Sequence, residues 1–116
     1  GHHPPLILRS EDGKLEQMER GQTALGVLKD VAFREHPVTL RPGDCMVLYT
    51  DGVTEALSAD GAFFGEFKLH DVIRQRCERD TADGTLSRIV DAVEDFVGDH
   101  PPSDDLTLMV VRRRED

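Results

Sequence analysis

Two acidic motifs set against apolar runs constrain this chain more than anything else in it. Tyr49-Thr50-Asp51-Gly52 ends the run Cys45-Met46-Val47-Leu48, and Ser103-Asp104-Asp105 opens Leu106-Thr107-Leu108-Met109-Val110-Val111. Apolar runs of this length, bounded by turn residues, are the pattern of strands buried in a sheet, and such strands carry no charge along their length. Carboxylates at the tip of one strand and the root of the other therefore suggest a shared site at one sheet edge. Clustered hard oxygen donors of that kind bind Mg²⁺ or Mn²⁺. Two adjacent carboxylates entering a buried strand also repel each other unless something positive lies beside them, and a divalent cation relieves that repulsion.

Each motif is weak when taken alone. An Asp-Gly pair after a strand is most often a turn, and a Ser/Asp cluster before a strand usually caps a loop. Glu55, four residues after Asp51, is a further candidate ligand, but it reads equally as the solvent side of one short helical turn. His2 and His3 carry side chains suited to phosphate binding or proton transfer. Ahead of Pro4-Pro5 at a chain end they read as structural or incidental. His36, His70 and His100 sit in polar surroundings and have no informative spacing.

The remaining sequence supplies the frame. Leu6-Ile7-Leu8-Arg9 and Lys14 to Met18 flank Asp12-Gly13, which predicts an antiparallel hairpin. Gly21 to Val27 reads as a loop and Phe33 to Leu40 as a third strand. Arg41-Pro42-Gly43-Asp44 has Pro second and Gly third, as a type II turn requires, and should fold that strand back onto Cys45 to Thr50. Beyond Asp51 the period changes. Leu69, Val72, Ile73 and Cys77 recur at helical spacing, as do Leu86, Ile89, Val90, Val93, Phe96 and Val97, with Gly98 as the stop before Pro101-Pro102. Strands, two one-sided helices and a final strand predict an α+β domain, with helices packed on one face of a mainly antiparallel sheet.

Length and charge narrow the function. A chain of 116 residues has room for one domain and a modest core. A net charge of −9, with no Trp and one Tyr, argues against a nucleic-acid surface and for a cation or cationic partner. The only basic cluster, Arg112-Arg113-Arg114, reads as a solvated chain end. Cys45 and Cys77 lie in apolar patterns without a C-x-x-C pairing, as buried reduced thiols would in a cytoplasmic protein. No apolar stretch approaches the roughly 18 residues of a membrane span, so no membrane partner is expected.

Taken in order, the motifs resemble a known family. Gly1-His2-His3-Pro4-Pro5-Leu6-Ile7-Leu8, Leu25-Gly26, Leu40-Arg41-Pro42-Gly43-Asp44, Leu48-Tyr49-Thr50-Asp51-Gly52-Val53-Thr54-Glu55-Ala56, Phe64-Gly65 and Asp104-Asp105-Leu106-Thr107-Leu108 form a series that spans nearly the whole chain. It closely resembles the C-terminal half of bacterial PPM-type protein serine phosphatases, in the branch of the sporulation stage II phosphatase and the stress-sigma-factor regulators. The resemblance implies an antiparallel β-sandwich flanked by helices, present here in part, with residues 1–116 as the C-terminal portion of a single phosphatase domain. It implies two Mn²⁺ or Mg²⁺ ions, with Asp51 and Asp104 as metal ligands and catalytic residues. Asp105 would support the site, and Gly52 would let the backbone approach metal-bound water.

The implied reaction is metal-assisted hydrolysis of phosphoserine or phosphothreonine on a regulatory protein of the anti-anti-sigma type, with no covalent intermediate. Relatives carry an upstream Asp, followed by Gly-His-Gly, that bridges the metals, and residues 1–116 do not contain it. Three readings follow: a phosphatase half-domain, a noncatalytic phosphatase-like binding module, and a small antiparallel domain whose acidic tips are only turns. Unpaired sheet edges in a half-domain would favour association, a homodimer being one form.

Overall fold

The computed structural model describes residues 3–18, 37–75, 81–99 and 106–115. Within them the chain forms strands β1 (Leu6–Leu8), β2 (Leu15–Gln17) and β3 (Cys45–Tyr49), helices α1 (Asp51–Thr54), α2 (Gly65–Arg74) and α3 (Ala82–Val97), and strand β4 (Leu108–Arg112). The strands make one antiparallel sheet in the order β2-β1-β3-β4. The α+β class and the antiparallel sheet with helices agree with the sequence reading.

Alternation along the strands sorts their side chains between two faces. Leu6, Leu8, Cys45, Val47 and Tyr49 face the helices and pack with Val53, Phe64, Leu69, Ile73, Ile89 and Val93 into one core. Leu108 and Val110 join that core from β4. Leu69, Ile73 and Ile89 are essentially sealed from solvent, and each contributes roughly 1.5–3 kcal/mol by burial. The other sheet face carries Ile7, Met46, Leu48, Met109 and Val111; Ile7 is buried, whereas Met109 is 59% exposed.

Local chemistry sets the element ends. Thr81 caps α3, its hydroxyl accepting from the Gly84 N–H at 2.9 Å, and Gly98 ends the helix at φ +65°, as the sequence predicts. The Arg41–Asp44 turn closes with the Asp44 N–H donating to the Arg41 carbonyl at 2.9 Å and Gly43 at φ +87°, the positive φ that a type II turn needs. The Asp12-Gly13 hairpin also forms, with the Arg9 N–H donating to the Lys14 carbonyl at 2.8 Å.

Three expectations are corrected. Residues 37–40, the described part of the predicted third strand, are not a strand; β3 pairs instead with β1 and β4. Pro37 has no N–H to offer a ladder, and the long-range partners of β3 outcompete its sequence neighbour. Arg112 belongs to β4 and is half-buried, and Arg113, though exposed, is anchored by hydrogen bonds. The Arg113 N–H donates to the Asp44 carbonyl at 3.0 Å, and its guanidinium donates to the Leu40 carbonyl at 2.7 Å. His70 is not in purely polar surroundings: its Nε2 is buried with no partner among the described residues, and burial pushes its pKa down. Cys77, Gly21 to Val27, His2, His36 and His100 lie outside the described residues.

Candidate functional site

The two ends of the sheet differ in their chemistry. At the end where β1 leaves and β3 begins, Asp44 is 1% exposed yet fully engaged. Its Oδ1 accepts from the Ser10 N–H at 2.8 Å, and its Oδ2 accepts from the Arg41 N–H at 2.9 Å and from Arg9 Nη1 at 2.8 Å. Arg9 also reaches Glu16 and the Thr39 carbonyl. Burial raises the Asp44 pKa, but the donated hydrogen bonds and the Arg9 charge outweigh it, and the carboxyl lies below the usual range. Hydrogen bonds to Glu16 and Asp44 correspondingly raise Arg9. This end is a closed structural lock.

The opposite end is the candidate site. Asp51 is the first residue of α1, directly after β3, with its side chain 50% exposed. Gly52, Val53 and Thr54 behind it are buried, which fixes the backbone that carries the carboxylate. Glu55 is exposed at the end of α1, in keeping with the solvent-side one of its two readings. The last β3–β4 pair is Tyr49 with Leu108, and the pairing continues one residue further. The Thr50 N–H donates to the Thr107 carbonyl, and the Thr107 N–H donates to Thr50 Oγ1, both at 3.2 Å. The chain leaving β3 toward Asp51 and the chain entering β4 thus meet at one edge. Asp104 and Asp105 lie outside the described residues.

Sequence reasoning undervalued His3. Because Leu6 pairs with Val47 in an antiparallel ladder, the chain ahead of β1 runs back beside the chain beyond β3. The His3 ring stacks on Tyr49, centroids 4.8 Å apart and planes 14° from parallel. Its Nε2 contacts Asp51 Oδ1, with Thr54 Oγ1 3.4 Å away, and its Nδ1 lies 3.6 Å from Glu66 Oε1. Glu66, in the first turn of α2 and 49% exposed, was not singled out in the sequence at all. The signal that could have found His3 was the pairing of Leu6-Ile7-Leu8 with Cys45-Met46-Val47, whereas Glu66 joins through the packing of α2 beside α1.

Tyr49 completes the cluster. Its hydroxyl is buried without a hydrogen-bond partner among the described residues, and burial raises its pKa, with Glu66 and Asp51 adding to the effect. Among the described residues no group of three or more His, Cys, Asp or Glu side chains is disposed to hold a metal ion. Asp51 can supply one carboxylate to an oxygen-only donor set: it is half-exposed on a buried backbone, with one oxygen oriented by a neighbour. No helix among the described residues is long and apolar enough to cross a membrane.

Comparison with known proteins identifies the fold and the family. The fold matches the SiaA-PP2C domain of Pseudomonas aeruginosa with a TM-score of 0.71 and 23% identity, over 94% of this chain and 42% of that one. A helix-covered antiparallel sheet is thus the fold of a PP2C-like domain, in part. The chain belongs to the stage II sporulation protein E (SpoIIE) family, which it matches over residues 1–114, and so to the PPM-type phosphatases of the sporulation and stress-sigma branch. It is 30% identical to phosphoserine phosphatase RsbU of Bacillus subtilis over 98% of its length and 33% of that protein. It is likewise 30% identical to protein IcfG of a Synechocystis species, over 97% of its length and 17% of that protein. The chain therefore spans a third or less of these curated relatives.

Proposed function

We propose that residues 1–116 are the C-terminal portion of a single metal-dependent protein serine/threonine phosphatase domain that hydrolyses phosphoserine on a regulatory protein of sigma-factor control. The observation that carries the reading is the Thr50–Thr107 junction, which brings the chain bearing Asp51 beside the strand that Asp104 and Asp105 precede. Membership of the SpoIIE family and the identity to a phosphoserine phosphatase support it. Asp51 and Asp104 would ligate the ions, and Asp105 would hold a neighbouring position. Gly52 would keep the backbone free of a side chain there. When bound, Mn²⁺ or Mg²⁺ supplies Lewis-acid activation of water for in-line attack on phosphorus.

This chain's own groups do the rest. Asp51 presents a carboxylate on a backbone fixed by the burial of Gly52 and Val53. The contact from His3 restricts its rotation. Neither a thiol nor a hydroxyl nucleophile is required, and Cys45 is buried in the core.

The test is hydrolysis of a phosphoserine peptide across a Mn²⁺ titration, with EDTA and Asp51→Asn as controls. Turnover that rises with Mn²⁺ and falls at least about 100-fold in the variant is expected, since a lost ligand removes metal chemistry worth several kcal/mol. Turnover indifferent to EDTA or to the variant would overturn the assignment of Asp51. Mn²⁺ binding without turnover would favour a noncatalytic phosphatase-like module.

A further inference from the structure

We propose that His3 is a positioning residue for Asp51: its imidazole Nε2 donates to Asp51 Oδ1 and holds the carboxylate in the orientation that binds the cation. The inference rests on the reading of Asp51 as a metal ligand.

The backbone brings His3 there. Antiparallel pairing of Leu6 with Val47 sets the third residue before Leu6 opposite the third after Val47, which puts His3 beside Thr50 and next to Asp51. Pro4 and Pro5 stiffen this lead. Each fixes its own φ, and a residue that precedes proline is restricted to extended backbone, so His3 has little freedom to swing away. Pro4 is buried, and the Pro5 carbonyl accepts from the Met18 N–H at 2.9 Å.

The side chain is held as firmly as the backbone. Its ring lies flat against Tyr49, which is itself part of the core, and its side chain is 19% exposed. Both ring nitrogens are turned toward protein carboxylates rather than toward open solvent, Nε2 to Asp51 and Nδ1 to Glu66. A histidine in this setting is poorly placed to bind phosphate itself. It is well placed to fix one oxygen of Asp51 and leave the other to a cation. A hydrogen-bonded neighbour that orients a ligating carboxylate is worth about 10- to 100-fold in metal affinity.

The experiment measures Mn²⁺ affinity by electron paramagnetic resonance of the unbound ion, on wild type, His3→Gln, His3→Met and Asp51→Asn, with the melting temperature of each. Gln and Met have similar length, and only Gln can donate. The Met variant should bind Mn²⁺ at least about 10-fold more weakly, and the Gln variant should recover most of the loss, at melting temperatures that match each other. Equal affinity in the wild type and the Met variant would overturn the proposal. So would an equal loss in the Gln and Met variants, the mark of a packing role. If the wild type binds no Mn²⁺, or Asp51→Asn binds it as well as the wild type does, the underlying assignment of Asp51 fails and the proposal falls with it.

Discussion

Removing the carboxylate of Asp44 should be among the most damaging single changes in this chain. In Asp44→Ala, the N–H groups of Ser10 and Arg41 lose their acceptor and the Arg9 guanidinium loses a buried partner. Breaking a buried ion pair by removing one partner costs about 3–5 kcal/mol. The low end applies, because Arg9 keeps Glu16 and the Thr39 carbonyl. A loss of about 3 kcal/mol is a large part of the roughly 5–15 kcal/mol that holds a domain folded. With a urea dependence of roughly 1.5 kcal/mol per molar, it moves the midpoint by about 2 M.

The pH dependence follows from the lowered pKa. Because the folded-state value of Asp44 lies below its unfolded one, its contribution is present above the unfolded carboxylate pKa and is lost as pH falls through the folded value. Urea unfolding followed by circular dichroism should therefore show a gap between wild type and Asp44→Asn that is constant from about pH 7 to 5 and shrinks below about pH 4. An Asp44→Ala midpoint within about 0.3 M of wild type, or a gap that widens in acid, would refute the argument.

Two further changes test the packing around the sheet. Gly43→Ala should cost about 2–3 kcal/mol, read by urea unfolding, because φ +87° strains any side chain and a Cβ there would lie 2.6 Å from Ser10 Oγ and 2.9 Å from Ser10 Cβ. Tyr49→Phe should leave the melting temperature unchanged or raise it, by up to about 1 kcal/mol of stability, because the buried hydroxyl it removes has no partner among the described residues.

The elements that local chemistry dictates were legible in the sequence, and those that depend on distant pairing were not. Asp12-Gly13, Pro42-Gly43 and Gly98 announce their turns because each needs a backbone conformation few other residues supply. The one-sided apolar spacing of α2 and α3 is equally explicit. Residues 37–40 misled because a short apolar stretch before a good turn looks like a hairpin partner, and nothing local says that β3 pairs with β1 and β4 instead. The site was half legible for the same reason. Asp51 is marked by its place at a strand tip, whereas His3 and Glu66 join it only through the β1–β3 register and the packing of α2 beside α1.

The division of labour between the sheet ends yields the last expectation. At the Asp44 end every polar group of a buried carboxylate is satisfied, so charge there contributes to stability. At the Asp51 end two half-exposed carboxylates face one imidazole, and a buried tyrosine hydroxyl has no partner among the described residues, an arrangement that folding alone does not favour. Replacing Asp51 with Asn keeps an acceptor toward His3 and removes one of the two negative charges beside it. Asp51→Asn should therefore unfold within about 0.5 kcal/mol of wild type in metal-free buffer, as ordinary surface substitutions do, while Asp44→Asn falls by about 2 kcal/mol. Metal-free urea curves of the two variants decide the matter. A large loss in Asp51→Asn would mean that its carboxylate is held for the fold, and the reasoning that sets it aside for a cation would fail.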